Sequence, residues 1–313
     1  MAYAIVYSEF GGPEVLTVTE VPDPVAGEGE LAIRVEAAGV NPIDAKLRSG
    51  RRPSGPITTP RRVGADVGGV VTAVGARVDG FRVGDAVAAF GVQGAYATDL
   101  VVRASQVHQR PPQVSAAEAA ALGIPIGTAY QALRSLDVGP RDTLLLHAGS
   151  GAVGQAAIQF AVMWGASVIA TSSPRRFDRV RALGAVPVAY GEGLADRVRE
   201  LAPDGPTVVI DAAGTDDALA ASIELLADKS RIATLVRGRD AASLGIRAFS
   251  GGSPEALTEQ QLAWRAEAIP VALALMAAGA FSVELGPSFP LADAARAHET
   301  LEAGSDGKIV LVP

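Results

Sequence analysis

Gly149, Gly151 and Gly154 carry the spacing Gly-x-Gly-x-x-Gly, directly after the apolar run Thr143-Leu-Leu-Leu-His147. A stretch follows whose apolar residues, Val153, Ala157, Phe160, Ala161 and Trp164, share one helical face. The chemistry this allows is close approach of backbone to a pyrophosphate. Gly149 permits a tight turn, Gly151 brings N–H groups near phosphate oxygens, and Gly154 lets helix and strand pack together. The helix beginning after Ser150, at Ala152 and Val153, adds partial positive charge and free donors. One such match is weak in a chain with 35 glycines. Its position between strand and helix predicts a dinucleotide site in preference to an ordinary strand–helix turn.

The following strand, Ser167 to Thr171, ends where a ribose-binding carboxylate would stand. No Asp or Glu occurs from Thr143 to Phe177, and the strand instead runs into Thr171-Ser172-Ser173-Pro-Arg175-Arg176. A carboxylate would accept from a bare 2′-hydroxyl and repel a phosphate. Hydroxyls and a guanidinium pair do the reverse, because Arg holds phosphate bidentately. The pattern predicts NADPH. The competing reading makes Arg175 and Arg176 solvated charges at the start of the next helix.

The elements that must position these groups fall into three stretches. Residues 1–122 read as short strands separated by Gly- and Pro-rich turns: Leu31 to Val35, Val67 to Val74, Ala86 to Phe90 and Ala97 to Val102. From about Gly123 strands alternate with helices, at Leu144–His147, Val168–Thr171, Pro187–Tyr190, Val208–Asp211 and Arg231–Val236, which predicts a parallel sheet with helical crossovers. A long helix from Thr258 to about Ala278, a second around Ala292 to Ala303 and a strand Lys308 to Val312 return the chain to the first domain. The expected division is 1–122 with 268–313, and 123–267.

Composition narrows the function classes. The 313 residues carry a net charge of −7, 49% hydrophobic residues and no cysteine. The charge and the lack of any Lys/Arg-rich run argue against a nucleic-acid surface. Without thiols there are no disulfides, no thiol nucleophile and no Cys-ligated metal. No signal-like leader or long apolar span is seen, so a cytoplasmic protein without a membrane partner is expected.

Several segments, in order, resemble the zinc-independent quinone oxidoreductases of the medium-chain dehydrogenase/reductase superfamily. They are Ala38-Gly-Val-Asn41-Pro-Ile-Asp44-Ala-Lys-Leu-Arg48-Ser-Gly50, Gly64-Ala-Asp66-Val-Gly-Gly, Gly84-Asp85-Ala-Val-Ala, Gly94-Ala-Tyr96-Ala, Gly127-Thr128-Ala-Tyr-Gln-Ala-Leu133, the glycine turn, and Ala297-His-Glu-Thr-Leu-Glu with Gly307-Lys308-Ile-Val-Leu. The resemblance implies an α/β chain: a GroES-like β-rich domain plus a Rossmann doubly wound parallel sheet, with the active site in the cleft between them. It implies a homodimer formed through edge strands of the Rossmann sheets.

In the zinc-binding branch of that superfamily the ligand positions align with Asn41 and with Ala65 of Gly64-Ala65-Asp66, so no metal is expected. His108, His147 and His298 lack ligand spacing, and His147 reads as a packed strand terminus. By resemblance Asn41 and Thr128 lie near nicotinamide and substrate, where Asn41 could donate to a carbonyl oxygen; Asn-Pro is also a turn signal. Asp44 orients neighbours or caps the following helix. Lys46 stands where the family often has an aromatic residue, a departure that bears on quinone specificity. Tyr190 lies near the adenosine phosphate in the family, or is a core aromatic. Ala212 and Val236, at the ends of the fourth and fifth strands, line the cofactor site, and Lys308 matches a basic residue near the cleft. The expected activity is NADPH-dependent reduction of a small quinone or enone. The alternative is a non-catalytic NADPH sensor or structural protein on the same fold. A short-chain reductase would need Tyr-x-x-x-Lys and a serine hydrolase Gly-x-Ser-x-Gly, and neither occurs. The acceptor pocket is expected to take its shape from the loops Arg51 to Arg61 and Phe249 to Pro254.

Overall fold

The computed structural model describes residues 1–249 and 255–313; of the loop from Phe249 to Pro254, all but Phe249 lies outside the described residues. The chain forms two units, 1–124 with 269–313, and 125–268.

The first unit opens with β1 (Ala2–Tyr7), β2 (Thr17–Val21), β3 (Glu30–Gly39), α1 (Pro42–Arg48), β4 (Arg61–Arg62), β5 (Asp66–Val74), β6 (Ala86–Phe90), β7 (Asp99–Arg103), β8 (Val107–Gln109) and α2 (Ala116–Ala120). Strands β2-β1-β4 make one sheet, and β8, β6, β5 and β3 form most of a second, with β7 also pairing to β3. Their inward residues, among them Ile5, Leu31, Ile33, Val67, Val87 and Leu100, build one apolar core.

The second unit begins within α3 (Gly123–Ser135). It contains β9 (Thr143–His147), α4 (Ala152–Met163), β10 (Ser167–Ser172), α5 (Phe177–Ala182), β11 (Val186–Ala189), α6 (Leu194–Leu201), β12 (Val208–Asp211), α7 (Asp216–Leu225), β13 (Ile232–Thr234), α8 (Ala241–Leu244), β14 (Arg247–Ala248) and α9 (Glu259–Ala277). All six strands are parallel, in the order β11-β10-β9-β12-β13-β14. The order reverses between β9 and β12, the switch point at which open α/β sheets bind ligands. Leu144, Leu145 and Leu146 are all buried, as expected of a parallel strand covered on both faces. One detail differs from the helical-face expectation. In α4 every residue from Gly154 to Ala161 is buried, because the helix is covered on a second side too. There Tyr130 of α3 packs edge-on against Phe160 and Trp164 at 5.1 and 5.2 Å.

From Ile269, within α9, the chain belongs again to the first unit, which it completes with β15 (Leu285–Pro290), α10 (Ala294–Ala303) and β16 (Lys308–Val312), and β16 pairs with β3. Among the described residues no helix is long and apolar enough to cross a membrane.

His147 is a packed strand terminus. Its Nε2 lies 3.0 Å from Ser222 Oγ, and because that hydroxyl donates to the Ala218 carbonyl, the imidazole donates to it. Burial lowers its pKa to about 4, against a smaller opposing effect of Asp211. The unfolded chain therefore takes up this proton first, and stability present above about pH 6.5 is lost as pH falls towards 4. Urea unfolding of wild type and His147→Gln between pH 7 and pH 5 should show the wild type losing on the order of 2 kcal/mol more than the variant. Parallel pH profiles for the two would contradict this.

Candidate active site

The sequence-predicted cofactor residues all lie in the second unit except Lys308. They follow the carboxyl ends of five neighbouring strands: Gly149 to Gly154 after β9, Ser172 to Arg176 at and after β10, Tyr190 after β11, Ala212 after β12 and Val236 after β13. The sheet therefore gathers at one edge segments spread over almost 90 positions of sequence.

Within the glycine turn the division of labour differs from the expectation in one respect. The left-handed residue is Ala148, at φ 60°, and Gly149 has no positive φ. Gly149 is required sterically instead, since a Cβ there would stand 2.6 Å from the Ala170 Cβ. The Ala148 N–H is tied to Thr171 Oγ1 and the Gly149 N–H to the Thr171 carbonyl, at 3.1 and 2.8 Å. Gly154 does what was expected: a Cβ would fall 2.2 Å from the Ala148 carbonyl oxygen, so α4 could not lie this close. Gly151 is unlike both. Its backbone is extended, at φ −76° and ψ 165°, and a Cβ would meet nothing closer than 3.5 Å. Packing among the described residues does not demand glycine at this position, which caps the exposed start of α4. A ligand approaching the turn would.

Ser172 is buried with its hydroxyl towards the Ser173 carbonyl at 3.3 Å, whereas Arg175 is exposed and Arg176 half-buried. Arg179 of α5, not singled out from sequence, donates to Gln155 Oε1 of α4 at 2.8 Å and ties the two elements together. Tyr190 is 64% exposed, which removes the core-aromatic reading. The loops bearing Ala212 and Val236 are pinned by a residue whose role the sequence did not disclose. The buried Asp211 accepts from the Ala213 and Gly214 N–H groups at 2.9 and 2.8 Å and from Thr234 Oγ1 at 2.8 Å. Thr234 Oγ1 in turn accepts from the Val236 N–H at 3.2 Å.

Thr128, in α3, accepts at Oγ1 from Arg265 Nη2 at 3.0 Å. Arg265 comes from α9, and burial lowers its pKa. Its cationic donor occupies an oxygen lone pair and leaves the Thr128 hydroxyl proton available. Nothing local in sequence links residues 128 and 265; only the packing of α9 beside α3 does.

In the first unit, Asn41, Asp44 and Lys308 are brought together. Asn41 caps α1, and its backbone N–H donates to Asp44 Oδ2 at 2.9 Å, a capping arrangement that fits Asn-Pro at a helix start. Tyr96 donates its hydroxyl to the same Asp44 oxygen at 3.1 Å and lies 3.2 Å from His298 Nε2. Arg48 meets His298 Nδ1 at 3.5 Å and Glu302 at 2.7 Å. On the other side, the Asn41 amide donates to Asp66 Oδ2 at 2.8 Å, and Lys308 donates to Asn41 Oδ1 and, at 2.7 Å, to the Val40 carbonyl.

Burial dominates the electrostatics here. It raises Asp44 to about 7 and raises Asp66, while it lowers Lys308 to about 8 against the pull of the two carboxylates. Asn41 is completely buried. The expected donation from its amide to a substrate carbonyl is not what this geometry displays: both ends of the amide are engaged internally, and its visible roles are capping and orientation. The group surrounding it is an amide, an ammonium and a carboxylate. Among the described residues no three His, Cys, Asp or Glu side chains are arranged to hold a metal, so these side chains do not make a zinc donor set.

Two family models match, the alcohol dehydrogenase GroES-like domain over residues 27–112 and the zinc-binding dehydrogenase model over 152–250. The quinone oxidoreductase of Pseudomonas aeruginosa is 32% identical over the full length of both chains, and that of Lama guanicoe 31% over 99% of this chain and 97% of its own. Among solved structures, a mycobacterial protein complexed with NADPH superposes with a TM-score of 0.83 at 33% identity, covering 100% of both chains. The Escherichia coli quinone oxidoreductase complexed with NADPH gives 0.85 at 27%, covering 99% of this chain and 100% of that one. With full-length relatives of this identity and the same pair of folds, the chain belongs to the quinone oxidoreductase family of the medium-chain dehydrogenase/reductase superfamily and is an oxidoreductase.

Proposed function

We propose that the enzyme reduces quinones or α,β-unsaturated carbonyls with NADPH and without zinc. The observation that carries this reading is Gly151, a glycine which neither backbone conformation nor packing demands, at the switch point of the sheet and next to an acid-free strand end bearing two arginines. The NADPH complexes of structural relatives support it. NADPH, when bound, supplies the hydride.

The turn at Gly151 and the first N–H groups of α4 would receive the pyrophosphate. Ser172, Ser173, Arg175 and Arg176 would hold the 2′-phosphate, with Tyr190 beside the adenosine end and Ala212 and Val236 lining the cofactor. Thr128, polarised by Arg265, would donate to the acceptor oxygen as negative charge develops there. Asn41 and Asp44 would order the first turn of α1, with Lys308 fixing the amide from behind. Without a Lewis acid, a localised alkoxide is poorly stabilised. A quinone or enone spreads the incoming charge, and a few donors then suffice. The proposed homodimer would form along the outer edge of β14, whose N–H and C=O groups need a cover; a dimeric mass by light scattering at micromolar protein checks it.

The cofactor assignment yields a binding series. Gly151→Ala should lower the melting temperature only slightly, through the lost N-cap preference for glycine over alanine, while weakening NADPH binding about tenfold or more. Arg175→Ala with Arg176→Ala should weaken NADPH by a similar factor through loss of charge-assisted bonds and leave NADH nearly untouched. Calorimetric titration measures both, and equal wild-type affinities for NADPH and NADH would refute the 2′-phosphate assignment.

The substrate assignment is checked by NADPH oxidation across a panel. Quinones and enones should be turned over much faster than unconjugated aldehydes, with chelator having no effect. Thr128→Val should lower kcat at least about tenfold, the usual scale for one oxyanion donor being larger still, with little change in NADPH affinity. Tight NADPH binding with no turnover on any quinone or enone would favour the sensor reading instead.

A further inference from the structure

The loop from Tyr190 to Gly193 joins β11 to α6, and one side chain grips it. Arg197, one turn into α6, sends its guanidinium back over the loop. Nη2 donates to the carbonyls of Ala189, Gly191 and Tyr190 at 2.9, 3.2 and 3.5 Å. Nη1 donates to that of Glu192 at 2.7 Å, and Nε again to that of Ala189 at 3.3 Å. The carbonyls of four successive residues thus converge on one planar fork, which a guanidinium satisfies and a compact ammonium does not. The backbone is wound to allow it, with Gly191 and Gly193 both left-handed at φ 94° and 73°.

The stability of α6 does not account for this arginine. A cation near a helix start opposes the macrodipole, which favours the neighbouring Asp196 instead. The helix docks through Leu194 and Val198, both in the apolar core of the second unit. What the guanidinium fixes is the backbone of Tyr190, whose own carbonyl and those on either side are all engaged while its ring stays exposed. Ala189 is the register partner of Ser172, so the gripped loop stands beside the strand end that carries Ser172 and Ser173. All these residues lie in the second unit. An exposed aromatic ring on a fixed backbone is a pre-formed contact surface, because its ordering cost is met on folding rather than on binding.

We propose that Arg197 is a positioning residue of the cofactor site, holding the Tyr190 ring in place for the adenosine end of NADPH. It acts through the loop and does not itself touch the cofactor. The inference rests on the placement of Tyr190 given above and deepens it: it names the residue on which that placement depends.

The test is a double-mutant cycle read by calorimetric titration, with NADPH and with 2′,5′-ADP, which carries the adenosine end alone. Tyr190→Ala should weaken both ligands about tenfold, the scale of an aromatic contact with a base, and Arg197→Met should weaken both by a similar factor. In the Tyr190→Ala background Arg197→Met should cost less than about twofold, because nothing is left to position. Arg197→Lys keeps the charge without the fork, so it should recover less than half of the loss in binding free energy. In the cofactor-free protein, hydrogen exchange at the Leu194 amide, which donates to the Gly191 carbonyl, should be about tenfold faster in Arg197→Met than in wild type. Additive losses in the cycle, full recovery by lysine, or unchanged exchange would each overturn the proposal while leaving the placement of Tyr190 intact. If Tyr190→Ala binds both ligands as wild type does, that placement itself fails and takes the role of Arg197 with it.

Discussion

The first unit is organised around charges that have left water. Asp66 and Lys308 lie on either side of the Asn41 amide, both almost wholly buried, and each opposes the effect of burial on the other's pKa. The surrounding backbone is built to suit. A Cβ on Gly123 would meet Asp66 Oδ1 at 1.9 Å, so the chain can pass the carboxylate only as glycine, and the Ile124 N–H donates to Asp66 at 3.1 Å. Helix α1, its Asn41 cap and the Asp44–Tyr96–His298 contacts extend from that centre. The chain thus keeps the frame that its relatives share, and its centre is an amide held by an ammonium and a carboxylate.

The second unit meets a different constraint. Its central strands β9, β10, β12 and β13 are largely buried on both faces, so their carboxyl ends are where backbone groups and side chains can face a ligand together. Every strand from β9 to β13 delivers its following loop to the same edge. Asp211 makes that edge firm, because one buried carboxylate engages two backbone N–H groups of its own loop and the threonine that anchors the next. Likewise Arg265 supports Thr128 from a helix more than a hundred residues downstream. Positioned donors of this kind lose little in reorganisation when charge develops against them.

Much of this was legible in the residues themselves. Alternation of apolar runs with helical spacing marked the parallel sheet, because burial on two faces imposes unbroken apolar strands. The glycine pattern marked the turn, because a methyl group at Gly154 would collide with the backbone. The absence of acid from Thr143 to Phe177 marked the cofactor preference, because charge at a strand end acts locally. All three signals depend on near neighbours in sequence, and that is why a sequence can show them.

What only the tertiary structure decided depends on residues far apart in the chain. Ala148 rather than Gly149 takes the left-handed conformation, a choice made by how β9 meets α4. Asn41 reads from its position as an open donor, yet Lys308, arriving from the last strand, and Asp66 engage both ends of its amide. Arg61 and Arg62 are identical in sequence terms. Strand alternation sends one to bind loop carbonyls and leaves Nε and Nη2 of the other, beside Gly94, without an acceptor among the described residues. The sequence by itself determined which groups this protein possesses and the elements that carry them. Which of those groups are satisfied internally, and which are left facing a ligand, was decided by burial and by partners that only the folded chain brings within hydrogen-bonding distance.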